Sequence, residues 1–359
     1  MLGRFSYLPL LSVGLTYSLW AVSGCGQEHS RLAKDDAGTG GQATTTTSTT
    51  GTAGSAGSTA AGGAGGDPEP DGPTVVSVVN GVVDADAVRL CFASFPSGES
   101  VDPWPSSGGL GFARTGRIDP INPTIPAGTD VQVFVLGGDL AQTTGKTCTQ
   151  ALALAGASDA APALHVSTTG VLPASVFESE RSLLISLYGC LGAPEHTHEA
   201  ADQICGAGYA PEAPNVAMAV GFLSRQTSPS HVGMQFVHAS AATAPSYLKV
   251  GPGIDGAVAT MAVSQWSLGA IAPYPPYWYY SRATLGTVGE ATLELSTNVS
   301  TPEHRASFAD ALDNSELEAS DLVDELGFAF VMVGAASTMA LEPGAWWHEL
   351  TYTVLRSDP

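Results

Sequence analysis

Glu195-His196-Thr197-His198-Glu199 is the most chemistry-like run in this 359-residue chain. Two imidazoles one residue apart, flanked by carboxylates, could ligate zinc or copper, since imidazole suits both metals. His196 and His198 are therefore the candidate metal ligands. No further ligand can be placed from the spacing, so a solvated polar loop is the simpler reading and no metal or other cofactor is expected. Ser246-Tyr247-Leu248-Lys249 fits Ser-x-x-Lys, but its alternating pattern is that of a strand, which sends Ser246 and Lys249 to opposite faces. The acids from Asp310 to Glu325 miss the calcium-loop register, because Leu312 and Leu317 fall on ligand positions. No Gly-x-Ser-x-Gly elbow, Walker loop or His-Glu-x-x-His occurs. The chain is expected not to be an enzyme.

A different chemistry is offered by Pro273-Tyr274-Pro275-Pro276-Tyr277-Trp278-Tyr279-Tyr280. Rigid amphipathic rings stack on sugars or grip peptides when exposed, so Tyr274, Tyr277, Trp278, Tyr279 and Tyr280 are candidate ligand-binding residues. Buried, the same run is a core strand entered through a Pro-rich turn. Trp346-Trp347 invites the same two readings.

What must position these residues is a chain of unusual balance. Only 13% of residues are charged, against roughly 25% in an ordinary domain. The 34 acidic and 13 basic side chains give a net charge of −21, the wrong sign for binding a phosphate backbone. Nucleic acid is excluded as an expected partner. Much of the low charge comes from residues 37–66, which are almost wholly Gly, Ala, Ser and Thr. Such a run cannot bury enough surface to offset its ordering entropy. It reads as a flexible linker with a reach on the order of 30 Å.

Ahead of the linker, residues 1–24 read as an export signal: one basic residue, Arg4, precedes an apolar stretch too short and too interrupted to span a bilayer. Val22-Ser23-Gly24-Cys25 looks like a bacterial lipobox, which implies that Cys25 is acylated and becomes the mature N-terminus, anchored by more than one chain. With Gly26 following, the expected location is the outer membrane or the cell surface of a bacterium. The remaining cysteines, Cys91, Cys148, Cys190 and Cys205, are even in number in an exported chain and read as two disulfides. Three pairings are open. The pairing favoured joins Cys190 to Cys205, closing a loop worth roughly 3 kcal/mol in the chain-entropy picture, and Cys91 to Cys148.

From Thr74 onward, short β-branched and aromatic segments are punctuated by Gly and Pro, as in TVVSVVNGVV, AVRLCFAS, TDVQVFVLG, SLLISLYG and GFAFVMVG. This spacing argues an all-β sandwich. The chain also matches itself: residues 79–92 lie against 237–250, and residues 175–189 against 320–334. Two tandem modules follow, at 74–228 and 231–359, after a linker at 25–73. A capping box at Ser300 to Glu303 predicts a short helix through about Leu312 in the second module, and Ser320 predicts another over 321–325.

Phe236-Val237-His238-Ala239-Ser240, then Pro245 and the alternating Tyr247-Leu248-Lys249-Val250, resembles the opening of domain-of-unknown-function family 4397. Ile125 to Val131 is similar to that family's Pro-Ala-Gly turn, and Leu184 to Gly189 and Phe330 to Gly334 to its closing strand. The first copy departs from the pattern with Val79-Asn80-Gly81, and the second carries Leu285-Gly286-Thr287 in place of the turn. The resemblance implies immunoglobulin-like modules of bacterial surface proteins with no catalytic set, and a structural role for His238 as a buried, hydrogen-bonded strand residue. The resulting expectation is a lipid-anchored surface or periplasmic lipoprotein acting as a non-enzymatic structural, adhesion or binding module. Its partners would be the membrane, through the anchor, and a surface polysaccharide or protein. The alternatives are carbohydrate or peptide binding through Tyr274 to Tyr280, and metal binding through His196 and His198.

Overall fold

The computed structural model describes residues 72–155, 164–242, 246–273, 277–298, 301–336 and 338–357. Cys25, the signal segment, the linker and Tyr274 lie outside the described residues. The described chain is mostly β. Its first half supplies β1 (Val75–Val79), β2 (Ala87–Phe95), β3 (Leu110–Gly111), β4 (Thr115–Ile118), β5 (Asp130–Gly138), β6 (Leu164–Leu172), β7 (Ser182–Tyr188) and β8 (Ala217–Leu223). The second half supplies β9 (Val232–His238), β10 (Ser246–Gly251), β11 (Thr260–Trp266), β12 (Ile271–Ala272), β13 (Trp278–Tyr280), β14 (Thr292–Ser296), β15 (His304–Ser307), β16 (Gly327–Val333) and β17 (Thr351–Arg356).

Among the described residues no sheet mixes the halves, and the two halves repeat one plan. The orders β4-β1-β7-β8 and β3-β2-β5-β6 in the first half correspond to β12-β9-β16-β17 and β11-β10-β14-β15 in the second, where β13 also pairs with β9. The correspondence extends to register. β1 and β7 run parallel with Val75 opposite Ser182 and Val79 opposite Ser186. β9 and β16 run parallel with Gly233 opposite Gly327 and Val237 opposite Val331. Of these, the pair Val79–Ser186 corresponds to Val237–Val331 in the internal sequence match.

Alternation of side chains along the inner strands decides how the sheets stack. Val76, Val78, Leu183 and Ile185 enter a core shared with β2 and β5. Met234, Phe236, Phe328 and Phe330 enter a second core shared with β10 and β14. The opposite faces of the same strands meet one another: Val79, Leu184, Val237, Ala329, Val331 and Val333 form a third cluster between the halves. β1 and β7 are thus buried on both faces, as are β9 and β16, which is why they read as continuous apolar runs.

Polar groups in this junction are matched across it. Ser224 N donates to Gln235 Oε1 at 2.9 Å, and Gln235 Nε2 donates to Pro273 O at 3.1 Å. Ser182 Oγ donates to Ser357 O, and Tyr277 OH to Ser224 O. Buried Arg225, in the segment connecting the halves, donates to Ser182 Oγ at 2.9 Å, Glu180 O at 3.0 Å and Pro73 O at 2.6 Å. The connection is pinned, and contacts group Gly62–Pro359 as one unit.

Two expected helices are corrected. Residues 304–307 pair with β14 as β15, with Glu294 opposite Arg305, and the helix begins only at Phe308. Its capping box is Ser307 with Asp310, joined reciprocally by Asp310 N to Ser307 Oγ at 3.1 Å and Ser307 N to Asp310 Oδ2 at 2.7 Å. Residues 321–325 form turns, with Leu322 inserted in the core and Glu325 at φ 74°.

His238 is fully buried at the end of β9, edge-on to Trp266 at 5.2 Å, but neither ring nitrogen has a hydrogen-bond partner. The hydrogen bond expected for it does not form. Burial lowers its pKa to about 4. The folded value lies below the unfolded one of about 6.5, so the unfolded chain binds the proton first as pH falls. Stability should be full above about pH 6.5 and fall by about 3 kcal/mol on acidification to pH 4, with half-buried His304 acting in the same direction. Urea denaturation at pH 7 and pH 4.5 checks this: His238→Phe should lose less stability than the wild type across that interval, and equal losses would refute the assignment.

Candidate functional site

A cleft of about 1020 Å³ opens where loops leaving the inner strands of both halves meet. Its wall is assembled from the turn after β1, the loop closed by the second disulfide, the ends of the outer strands of the first half, and residues 341–349 of the second half.

Both disulfides brace this region. Cys190 pairs with Cys205 at a Cα separation of 5.3 Å, tying the loop after β7 to the short helix Ala201–Cys205. Cys91 pairs with Cys148 at 5.5 Å, tying β2 to the helix Cys148–Ala155. Arg89, also on β2, is buried and donates to Gly108 O at 2.6 Å, Ser106 O at 3.2 Å and Thr143 Oγ1 at 2.7 Å. It fixes the loops that present Gly108, Gly109 and Leu140 to the cleft, and burial lowers its pKa.

Asp84 organises the floor. Its side chain is fully buried and accepts from Leu191 N and Gly192 N, each at 2.8 Å, and pairs with His196 Nδ1 at 3.0 Å. A carboxylate oxygen can only accept, so the proton of this pair sits on Nδ1 of the imidazole. The His196 ring lies flat against Trp346, with centroids 4.8 Å apart and planes 7° apart. Trp346 Nε1 donates to Thr197 O at 3.4 Å, and Tyr209 OH to His196 O at 3.0 Å. Burial, then the charges of Asp84, Glu212 and Glu195, push the Tyr209 phenol up to about 12, so it remains a donor at neutral pH. On the other wall, His348 Nε2 meets Asp86 Oδ1 at 3.3 Å and its ring stacks on Phe112 at 4.0 Å. Burial lowers the His348 pKa against the pull of Asp86 and Asp84.

The two histidines singled out in the sequence therefore do separate work. His196 belongs to Asp84 and Trp346, whereas His198 Nδ1 accepts from Ala200 N at 3.0 Å and its ring meets the edge of Trp347 at 5.0 Å. Among the described residues no group of three or more His, Cys, Asp or Glu side chains is gathered to hold a metal ion. In the aromatic run, Tyr277 and Tyr280 are buried and Trp278 and Tyr279 half-buried, β13 packing along β9. Tyr277 OH also meets Ser357 Oγ, which makes it part of the junction between the halves. Asp84, Asp86, His165 and His348 were not singled out by sequence reasoning. The available signal was Asp84-Ala85-Asp86 in an otherwise apolar stretch, where period-two alternation can send both carboxylates to one side.

Replacing Asp84 with Ala should cost about 2–4 kcal/mol, because two buried backbone N–H groups and the imidazole lose their acceptor. Asp84→Asn, which keeps one acceptor oxygen, should cost less. Hydrogen exchange at the Leu191 and Gly192 amides checks the cause: unchanged protection in Asp84→Ala would show that the carboxylate does not hold the loop. Set beside known proteins, the chain matches no family model, and no curated protein matches it.

Proposed function

We propose that this protein is an exported lipoprotein whose folded part, two immunoglobulin-like sandwiches joined face to face, is a non-enzymatic binding module displayed on a tether. The observation that carries the reading is the cleft itself. It is built jointly by both halves and lined by carboxylates, imidazoles, two indoles and backbone from glycine loops. Its volume is at the upper end of small-molecule sites, which suits part of a larger ligand. Trp346 is half-buried there, with an apolar ring held in place by His196. A ring already fixed in position loses little entropy on binding. The reading centred on Tyr274 to Tyr280 has less surface to offer, since Tyr277 and Tyr280 spend their rings on packing.

Lipid attachment at Cys25 and display at the outer membrane or cell surface rest on the Val22-Ser23-Gly24-Cys25 motif and the Gly-rich linker. Cys25→Ala should release the protein from membranes to the soluble fraction. Continued sedimentation with membranes would sink the anchor. The binding reading is tested by titrating the full-length protein against panels of oligosaccharides and peptides. At least one should bind with an affinity that Trp346→Ala weakens about tenfold, the loss of one good aromatic contact. Binding indifferent to Trp346 would place the ligand site elsewhere.

A further inference from the structure

Five carboxylates line the cleft, Asp84, Asp86, Asp139, Glu195 and Glu349, and among the described residues no Lys or Arg does. Asp84 is spent on the loop it holds. The other four are exposed at the rim, each from a different part of the chain: the turn after β1, the end of β5, the disulfide loop and the approach to β17. Low-dielectric walls focus the field of such groups, and the −21 net charge of the chain adds to it at long range. An anionic ligand is excluded by the same field.

The carboxylates do not converge, since no three acidic or imidazole groups are gathered at one point among the described residues. Separate single charges around the cleft suit a ligand whose cations are themselves spaced apart. Two indoles complete the lining. Trp346 offers part of a ring to a cation or to an aliphatic stem. Trp347, only 4% exposed, also lines the cleft, and its buried indole N–H has no hydrogen-bond partner.

From these features we infer that the cleft binds an extended peptide segment bearing Lys or Arg side chains. One cationic side chain lies against Trp346, and the others are met by Asp86, Asp139, Glu195 and Glu349. This rests on the cleft being the binding site, and the test separates the two claims. The full-length protein is titrated by calorimetry with a short oligolysine peptide, an oligoglutamate peptide, a neutral oligosaccharide and a glucosamine oligomer. Oligolysine should bind best, and weaken with salt as screened charges do.

The triple change Asp86→Asn, Glu195→Gln, Glu349→Gln should weaken oligolysine about tenfold or more, and Trp346→Ala about tenfold. An equal neutralisation away from the cleft, Asp313→Asn, Glu316→Gln, Glu318→Gln, should leave affinity within about twofold. All six carboxylates are exposed, so these variants keep the fold, which circular dichroism verifies. Equal weakening by both triple variants would reduce the effect to the general field and overturn the inference, as would glucosamine oligomer binding as tightly as the peptide. A neutral oligosaccharide bound best, with dependence on Trp346, would overturn the cationic peptide while leaving the binding module intact. Absence of any Trp346-dependent binding would overturn both.

Discussion

The close contact between the two inner sheets is the constraint from which the rest of the structure follows. β9 and β16 carry Met234, Phe236, Phe328 and Phe330 toward their own core and the smaller Val237, Ala329 and Val331 toward the other half, where they meet Val79 and Leu184. Near Gly81 the halves are close enough that an added Cβ would lie 2.8 Å from Val333 Cγ1 of the second half. Ser182, Tyr277 and Gln235 find partners across the junction, Arg225 bonds within the first half, and the buried Ser186 hydroxyl has no partner.

Parallel pairing then determines where a site can form. Because β1 and β7 run in the same direction, their C-terminal ends emerge side by side, and the chains leaving them continue to touch. Val83 N donates to Gly189 O at 2.8 Å, and His348 N from the second half donates to Val83 O at 2.8 Å. Three departing segments are thereby gathered at one edge of the stack. Asp84 follows Val83 directly, so its carboxylate reaches the loop after β7 without any long excursion. Ala336 N, donating to Gln203 O at 3.0 Å, closes the same seam further along. The cleft is where these segments diverge again.

How much of this is legible in the sequence depends on how deeply each element is buried. The doubly buried strands announce themselves as apolar runs, and the internal match places the last residue of β1, Val79, on Val237 of β9 and β7 on β16. β6 and β11 are partly exposed and rich in Thr, Gly and Ser, so their apolar pattern is diluted and they do not stand out. β15 is a four-residue edge strand followed at once by a helix. Its Ser-Thr-Pro-Glu prelude imitates a helix start, whereas pairing with β14 decides the outcome. At the site, the His196-Thr197-His198 spacing draws attention to the correct loop but not to its chemistry. The partners that define His196 are 112 residues away at Asp84 and in the second half at Trp346. No local pattern encodes such a meeting.

The same structure explains how a chain so rich in carboxylates keeps their field available at one place. Burying Asp84 is tolerable because two backbone N–H groups and an imidazole compensate it. Two of the few basic side chains, Arg89 and Arg225, are drawn inward and donate to carbonyl and hydroxyl oxygens. Arg305 pairs with Glu294 at 2.6 Å on the far sheet of the second half. Cations that might have neutralised the cleft rim are thus committed to holding the scaffold. The backbone carbonyls that Arg89 binds belong to the very loops that bound the cleft. The guanidinium thus shapes the wall while forming no ion pair with the rim carboxylates, its hydrogen bonds going to neutral oxygens.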